Sequence, residues 1–73
     1  MNQYKNNITV FVNGKENSIP SNCTINDMLK TLNINSISIA IAINRNVIPK
    51  QEHGTFIIED NSSIEIINAV GGG

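Results

Sequence analysis

The chain has 73 residues, 40% of them apolar and 15% charged, with a net charge of −1 and a pI near 5.6. This length predicts one domain and is too short for a catalytic cleft between two lobes. There is no basic run, and the aromatic residues are two phenylalanines and one tyrosine. The composition therefore argues against nucleic-acid binding through phosphate contacts or base stacking.

The sequence also bounds the compartment. No apolar run approaches the length of a membrane span, and the N-terminus does not resemble a signal peptide, so we expect no membrane partner. Cys23 is the single cysteine, which excludes an intramolecular disulfide and fits a reducing compartment. We expect a cytoplasmic protein, or one of the plastid stroma if its gene lies in the organelle. A lone cysteine most often fills a core, and a reactive thiol is the alternative.

The first part of the chain predicts a β-hairpin. Residues 1–7 are polar and without periodicity, and we interpret them as a loose lead-in. From Ile8 to Val12 every second residue is aliphatic, as in a half-buried strand. Asn13-Gly14 is a strong hairpin signal because both residues tolerate positive φ. The second strand is predicted from Lys15 to Ile19 and ends at Pro20, which has no N–H to donate.

A helix follows the hairpin. Thr24 and Asp27 have the spacing of a capping box, in which each side chain hydrogen-bonds the backbone of the other residue. Lys30 lies near the last turn, where a positive charge suits the helix dipole. Apolar residues recur at i, i+3, i+4 and i+7 and predict one buried stripe: Ile25, Met28, Leu29 and Leu32.

The second part of the chain predicts further strands. Residues 37–43 alternate Ile with Ser or Ala, and the pattern does not decide which face meets the helix. The remaining predicted segments are a turn at 44–46, a short strand Val47-Ile48 ended by Pro49, a polar crossover at 50–55, a short apolar segment at 56–58, a turn at 59–63 and a last strand Ile64–Ile67. A right-handed crossover is expected to bring the third or the last strand beside the first in parallel. The fold class is α+β, a roll with one helix across a mixed sheet of four to five strands.

No catalytic or metal-binding group is visible in the sequence. His53 lies in the polar crossover and is interpreted as a surface residue without a nucleophile nearby. One His and one Cys thirty residues apart make no zinc site, and the glycines form no phosphate-binding loop. The carboxylates of Glu59, Asp60 and Glu65 are interpreted as solvated. We expect a protein that is not an enzyme and holds neither a cofactor nor a metal.

The sequence ends in Ala69-Val70-Gly71-Gly72-Gly73, directly after the last predicted strand. Glycine has no Cβ atom, so this backbone can enter a tunnel too narrow for side chains. The five residues can reach about 17 Å and carry a terminal carboxylate. The alternatives are an ordinary frayed terminus or a cloning scar.

Several segments in order resemble the sulfur carrier protein of thiamine (thiazole) biosynthesis, a ubiquitin-like β-grasp family. They are the strand ending in Asn13-Gly14, the helix from Thr24 to Leu32, the segment Ile39–Asn44, Val47-Ile48-Pro49-Lys50, Glu59-Asp60 and the tail Ala69–Gly73. The resemblance covers nearly all of the chain after residue 7 and makes residues 1–73 one β-grasp domain, with 69–73 as a flexible tail. His53 departs from it, since many of these carriers have Trp there. Asn61 also departs from the resemblance, since these carriers commonly have Gly in this turn. Asparagine can still adopt the left-handed conformation that the turn needs.

The resemblance implies a mechanism centred on Gly73. A partner E1-like adenylating enzyme, using Mg-ATP, would convert the terminal carboxylate into an acyl-adenylate. A persulfide sulfur donor would then turn Gly73 into a thiocarboxylate (1-thioglycine), while Gly71, Gly72 and Gly73 thread into the partner's tunnel. Thiazole synthase would receive the sulfur, and the free carrier would be a monomer.

Two further interpretations stay open at this stage. The small sulfur-carrying subunit of molybdopterin synthase shares the fold, the Gly-Gly end and the thiocarboxylate. A non-catalytic ubiquitin-like module, for interaction or for conjugation to lysines, is the other. It would need an exposed patch; Phe11 and Ile57 are candidates, although we expect both to belong to the core.

Overall fold

A computed structural model describes residues 6–35 and 39–68 of the chain. Within them the elements are β1 (Asn7–Val12), β2 (Lys15–Pro20), α1 (Ile25–Thr31), β3 (Ile39–Ile43), β4 (Asn46–Ile48), a 3-10 turn (Lys50–Glu52) and β5 (Ser62–Asn68). The strands form a five-stranded sheet in the order β2-β1-β5-β3-β4. β5 runs parallel to β1, and the other neighbours are antiparallel. The last strand, rather than the third, therefore lies beside the first.

The predicted hairpin turn at Asn13-Gly14 and the predicted turn at 44–46 both depend on residues that accept positive φ. Asn13 and Gly14 have φ angles of 51° and 84° between β1 and β2. Asn44 and Arg45 have φ angles of 50° and 73° between β3 and β4. Positive φ at both central residues gives a two-residue hairpin whose twist matches that of the strands. The Asn13-Gly14 prediction is confirmed, and the predicted turn at 44–46 is tighter, since Asn46 already belongs to β4.

The helix begins at the predicted capping box. Asp27 N donates to the Thr24 hydroxyl at 3.1 Å, and Thr24 N donates to the Asp27 carboxylate at 3.2 Å. These bonds satisfy two backbone donors that the first helical turn leaves without partners. Ile25, Met28 and Leu29 are buried, and Leu32 packs against them half-buried. The predicted apolar stripe is therefore confirmed.

The core lies between α1 and one face of the sheet. Ile41 and Ile43 of β3 are buried in the same cluster as the helix stripe, whereas Ala40 is exposed. The isoleucine face of β3, rather than its small-residue face, therefore meets the helix. The buried aliphatic residues of the other strands complete this cluster: Ile8, Val10 and Val12 of β1, Ile19 of β2, Ile48 of β4 and Ile64 of β5.

The segment predicted as a turn at 59–63 is shorter than expected. Asn61 has a φ of 67°, as predicted for this turn, but Ser62 and Ser63 already belong to β5. They pair in parallel with Val10 and Phe11 of β1. Serine favours turns locally, but here the neighbouring strand supplies the hydrogen-bond partners that extend β5. At the other end of the chain, residues 1–5 lie outside the described part and Asn7 is already the first residue of β1.

Candidate functional site

The strand that precedes the tail, β5, lies in the middle of the sheet. β5 lies between β1 and β3, and Asn68 at its end is the last residue that the structure describes. The tail residues Gly71, Gly72 and Gly73, predicted to carry the chemistry, lie outside the described residues. What the structure gives is the base of the tail and the surface around it. A central strand held on both edges is a rigid support for whatever follows it.

Two turn asparagines hold β5 through their side chains. The amide of Asn44 accepts from Ser63 N at 2.9 Å, near the start of the strand. The amide of Asn13 accepts from Ile66 N at 2.9 Å and donates to Ile66 O at 3.4 Å, near its end. A turn residue in the left-handed conformation can place its amide against a neighbouring strand in this way. Sequence reasoning used both asparagines as turn formers and missed these contacts.

The face of the sheet turned away from α1 carries exposed apolar residues, although Ala42 on β3 is buried. We call it the outer face and define it by Phe11, Ala40, Ala42, Val47 and Ile67. Pairing sets Ala42 opposite Val47 and Ala40 opposite Ile67, so these four residues form two adjacent rows. Val47 is 72% exposed, Ile67 56% and Phe11 36%. An apolar face next to the tail base is suited to docking another protein.

The charge on the outer face is acidic. Glu65 lies opposite Ala42 on β5, and Glu16 lies opposite Phe11 on β2. Both are exposed. Pairing and alternation place no Lys or Arg of the described strands on this face. A complementary surface would be apolar, with positive charge where it meets Glu65 and Glu16.

The two exposed aliphatic or aromatic candidates differ in position. Phe11 belongs to the outer face, whereas Ile57 lies beside Thr24 just before α1, through an isolated bridge. Ile57 is 47% exposed, so neither residue is the core residue expected from the sequence. Strand alternation puts Phe11 opposite in direction to Val10 and Val12, which fill the core. For Ile57, the neighbouring Ile58 takes the buried position.

The prediction that His53 is a surface residue is wrong. Its side chain is 4% exposed, and Nε2 lies 2.9 Å from the carbonyl oxygen of Ile48. Because a carbonyl can only accept, Nε2 carries the proton and donates. The backbone carbonyl of His53 in turn accepts from Asn26 N at 3.0 Å, in the first turn of α1. The polar crossover therefore folds inward at this one residue and ties β4 to the helix.

Cys23 fills the core, as predicted. The side chain is 2% exposed and lies within the main cluster. Burial raises the pKa of the thiol, and the nearby negative charge of Asp27 raises it further. The thiol is therefore protonated at neutral pH, which disfavours the alternative of a reactive cysteine.

The prediction that the late carboxylates are solvated fails at Asp60. Thr9 N donates to Asp60 Oδ1 at 2.8 Å, and Asn61 N donates to Thr9 O at 2.6 Å. These two bonds fix the turn before β5 against β1. Glu59 and Glu65 are exposed, as expected. The sequence around Asp60 indicated a turn, but it did not indicate the partner of the carboxylate, because Thr9 lies 51 residues earlier.

Two further features are absent from the part of the chain that the structure describes. Residues 6–35 and 39–68 contain no group of three His, Cys, Asp or Glu side chains placed to hold a metal ion. No helix in these same ranges has the length and apolar character needed to cross a bilayer.

Comparison with known proteins decides the family. Residues 3–73 match the family model described as the ThiS family. The chain belongs to the ThiS family. This confirms the resemblance to the sulfur carrier protein of thiamine biosynthesis that the sequence motifs indicated.

Three relatives of this ThiS-family chain differ in length. The uncharacterized protein ycf40 of Porphyra purpurea is 34% identical over 67 residues, covering 92% of this chain and 94% of that protein. Its counterpart in Trieres chinensis is 31% identical over 65 residues, covering 89% of each. A thiazole synthase of Paramagnetospirillum magneticum is 27% identical over 64 residues, or 88% of this chain. The chain spans only 20% of the length of that thiazole synthase.

A solved structure supports the fold. The crystal structure of the thiamine biosynthesis protein (ThiS) from Geobacter metallireducens superposes with a TM-score of 0.78 at 19% identity. The superposition covers 90% of this chain and 100% of the chain in that crystal structure. At this identity the likeness establishes the architecture, and it confirms the predicted β-grasp class.

Proposed function

We propose that this ThiS-family chain is a sulfur carrier whose Gly73 carboxylate is adenylated, converted to a thiocarboxylate and used as the sulfur source for thiazole formation. The family match over residues 3–73 carries the proposal, because it includes both the folded body and the glycine tail. Family membership also favours the thiamine pathway over molybdopterin synthesis. The chain itself would act as a protein substrate and not as an enzyme.

The chemistry follows from the state of the terminal group. A C-terminal carboxylate has a pKa of about 3.3–3.7, so it is anionic at neutral pH and a poor electrophile. Attack of one carboxylate oxygen on the α-phosphorus of ATP, held as Mg-ATP by an adenylating partner, would release pyrophosphate and leave an acyl-adenylate. The terminal sulfur of a persulfide would then displace AMP from the Gly73 carbonyl. Cleavage of the remaining S–S bond by a second thiol would leave the thiocarboxylate.

The body would supply recognition and position. The outer face offers Val47, Ile67 and Phe11 as exposed apolar contacts close to the strand that leads into the tail. A partner that covers this face would hold the base of the tail at a fixed place, which makes the attack on Gly73 effectively intramolecular. The absence of side chains in Gly71–Gly73 suits a narrow entrance.

Thiazole synthase is the proposed acceptor of the sulfur. A thiazole synthase from Paramagnetospirillum magneticum contains a segment similar to this chain, and that segment makes up 20% of its length. Domains joined in one protein are held at a high effective concentration relative to each other. Two proteins that take part in the same reaction benefit from this arrangement. The separate chain described here would reach the same partner by docking. We propose a monomer when free, in the cytoplasm or plastid stroma.

Intact-mass spectrometry tests the proposal. The purified chain is incubated with the cognate adenylating enzyme, Mg-ATP and a persulfide donor, and its mass is compared before and after. Exchange of one oxygen for sulfur is expected, and fragmentation should place it on Gly73. The Cys23→Ala variant is the control, because a persulfide on Cys23 would disappear with the thiol whereas a thiocarboxylate would remain. An unchanged mass with a partner of verified activity would overturn the carrier function.

A further inference from the structure

Asn13 binds β5 at a point where β1 has already turned away. Its backbone N–H donates to Ile64 O at 2.8 Å. Its side-chain amide accepts from Ile66 N at 2.9 Å and donates to Ile66 O at 3.4 Å. One residue thus makes three hydrogen bonds to the strand that leads to the tail. The amide takes the place of the backbone that a longer β1 would supply.

After Ile66, the described pairing of β5 comes from one side. Ile67 pairs with Ala40, and Asn68 pairs with Ile39, both on β3. The parallel pairing with β1 ends at Ile64. Backbone groups of successive residues in a strand point to opposite edges, so those of Asn68 point to the edge that β1 has left, as those of Ile66 do. Within the described residues, the Asn13 amide is the final support on that edge before residue 69.

We propose that Asn13 is a positioning residue for the tail, fixing the direction in which β5 delivers residues 69–73 relative to the outer face. The inference rests on the proposed sulfur-carrier function. A partner bound to the outer face sets the place of the body, and the end of β5 then sets where Gly73 arrives. Removal of the amide leaves Val47, Phe11 and the rest of that face intact. Docking should therefore survive while the rate of charging falls.

Asn44 provides a matched control on the same strand. It too occupies a hairpin turn with positive φ, 50° against 51° for Asn13. Its backbone N–H donates to Ser63 O at 2.7 Å, and its amide accepts from Ser63 N at 2.9 Å. Ser63 lies near the start of β5, far along the strand from the tail. Glycine at either turn position keeps the positive φ at no steric cost and removes only the amide.

The experiment compares Asn13→Gly, Asn44→Gly and Asn13→Asp in steady-state charging by the adenylating enzyme with Mg-ATP. A small displacement of a reacting group can cost about 100-fold in rate, so we expect Asn13→Gly to lower kcat by about tenfold or more. KM for the carrier should stay near the wild-type value. Asn44→Gly should leave kcat and KM unchanged. Its melting temperature should nevertheless fall by about as much as that of Asn13→Gly. Asn13→Asp keeps the acceptor for Ile66 N and should restore most of kcat.

Amide hydrogen exchange provides a readout that is independent of activity. Exchange at Ile66 should be faster in Asn13→Gly than in wild type and unchanged in Asn44→Gly. A wild-type kcat in Asn13→Gly, or an equal loss of kcat in Asn44→Gly, would overturn the role of Asn13 and leave the carrier function standing. Failure of the wild-type chain to be charged by an active partner would instead overturn the proposed function, and this inference with it.

Discussion

Nε2 of His53 lies 2.9 Å from the carbonyl oxygen of Ile48, and this buried bond joins the crossover segment to β4. The next link is the His53 carbonyl, which accepts from Asn26 N in α1. A single buried residue thus connects the edge strand β4 with the helix. His53 is therefore a structural element of the β-grasp body.

Replacement of His53 should therefore destabilise the fold. His53→Ala removes a buried side chain and its hydrogen bond, and a loss of about 2–4 kcal/mol in the free energy of unfolding is expected. Urea denaturation followed by circular dichroism measures this change. Glu52→Ala is the control: Glu52 is exposed, and such a change usually stays within about 0.5 kcal/mol. Equal stabilities for the two variants would show that the histidine does not hold the crossover.

The sequence was sufficient where the signal is local. The capping box at Thr24 and Asp27 and the turn at Asn13-Gly14 each depend on residues within a few positions of one another, and all formed as predicted. His53 and Asp60 were misjudged because their partners are set by tertiary contacts. Asp60, for example, binds Thr9 from 51 residues away. Local composition there is polar and favours exposure, and only the folded chain reveals the partner.

The position of the outer face could likewise not be predicted from the local sequence alone. Alternation in residues 37–43 predicted two distinct faces but not which one α1 would cover. That choice depends on the helix stripe, on the strand order and on the parallel pairing of β1 with β5. The hydrogen bond between the Asn13 side chain and Ile66 N likewise requires the pairing of β1 with β5. It joins two residues that are 53 positions apart in the sequence.

Stability should depend on pH through Asp27. Its pKa lies below the ordinary value of 3.8, chiefly because the Thr24 backbone N–H donates to the carboxylate, with the Thr24 side chain and Lys30 acting in the same direction. A lowered folded pKa means that this stabilisation is complete above the unfolded pKa and is lost as pH falls from about 4 through the folded value. Melting curves of wild type and Asp27→Asn check it. The difference between the two proteins should be larger at pH 7 than at low pH, and a constant difference would contradict the linkage.

The outer face should determine affinity for the partners. Val47→Asp places a charge on an apolar residue that is 72% exposed, so the fold should be little affected. Losing this contact should cost about 1–2 kcal/mol of binding, roughly a tenfold rise in KM for charging or in Kd for thiazole synthase. Ile57→Asp is the matched control, because Ile57 is also exposed and aliphatic but lies beside Thr24, off the outer face. If both variants weakened binding equally, the outer face would not be the docking surface.

The tail should tolerate no side chain near its end. Gly72→Ala adds one methyl group, which an entrance that admits only a bare backbone excludes, so the acyl-adenylate should not form. A single misplaced reacting group can cost about 100-fold, so charging measured by pyrophosphate release should fall by at least that factor. The melting temperature should stay at the wild-type value, because the described sheet and the α1 core are built from residues up to and including Asn68. Ala69→Gly is the companion variant, since it changes the tail by the same methyl group without adding bulk, and it should be charged normally. A marked drop in the melting temperature of Gly72→Ala would show that the tail packs on the body, and normal charging of this variant would show that the entrance admits side chains.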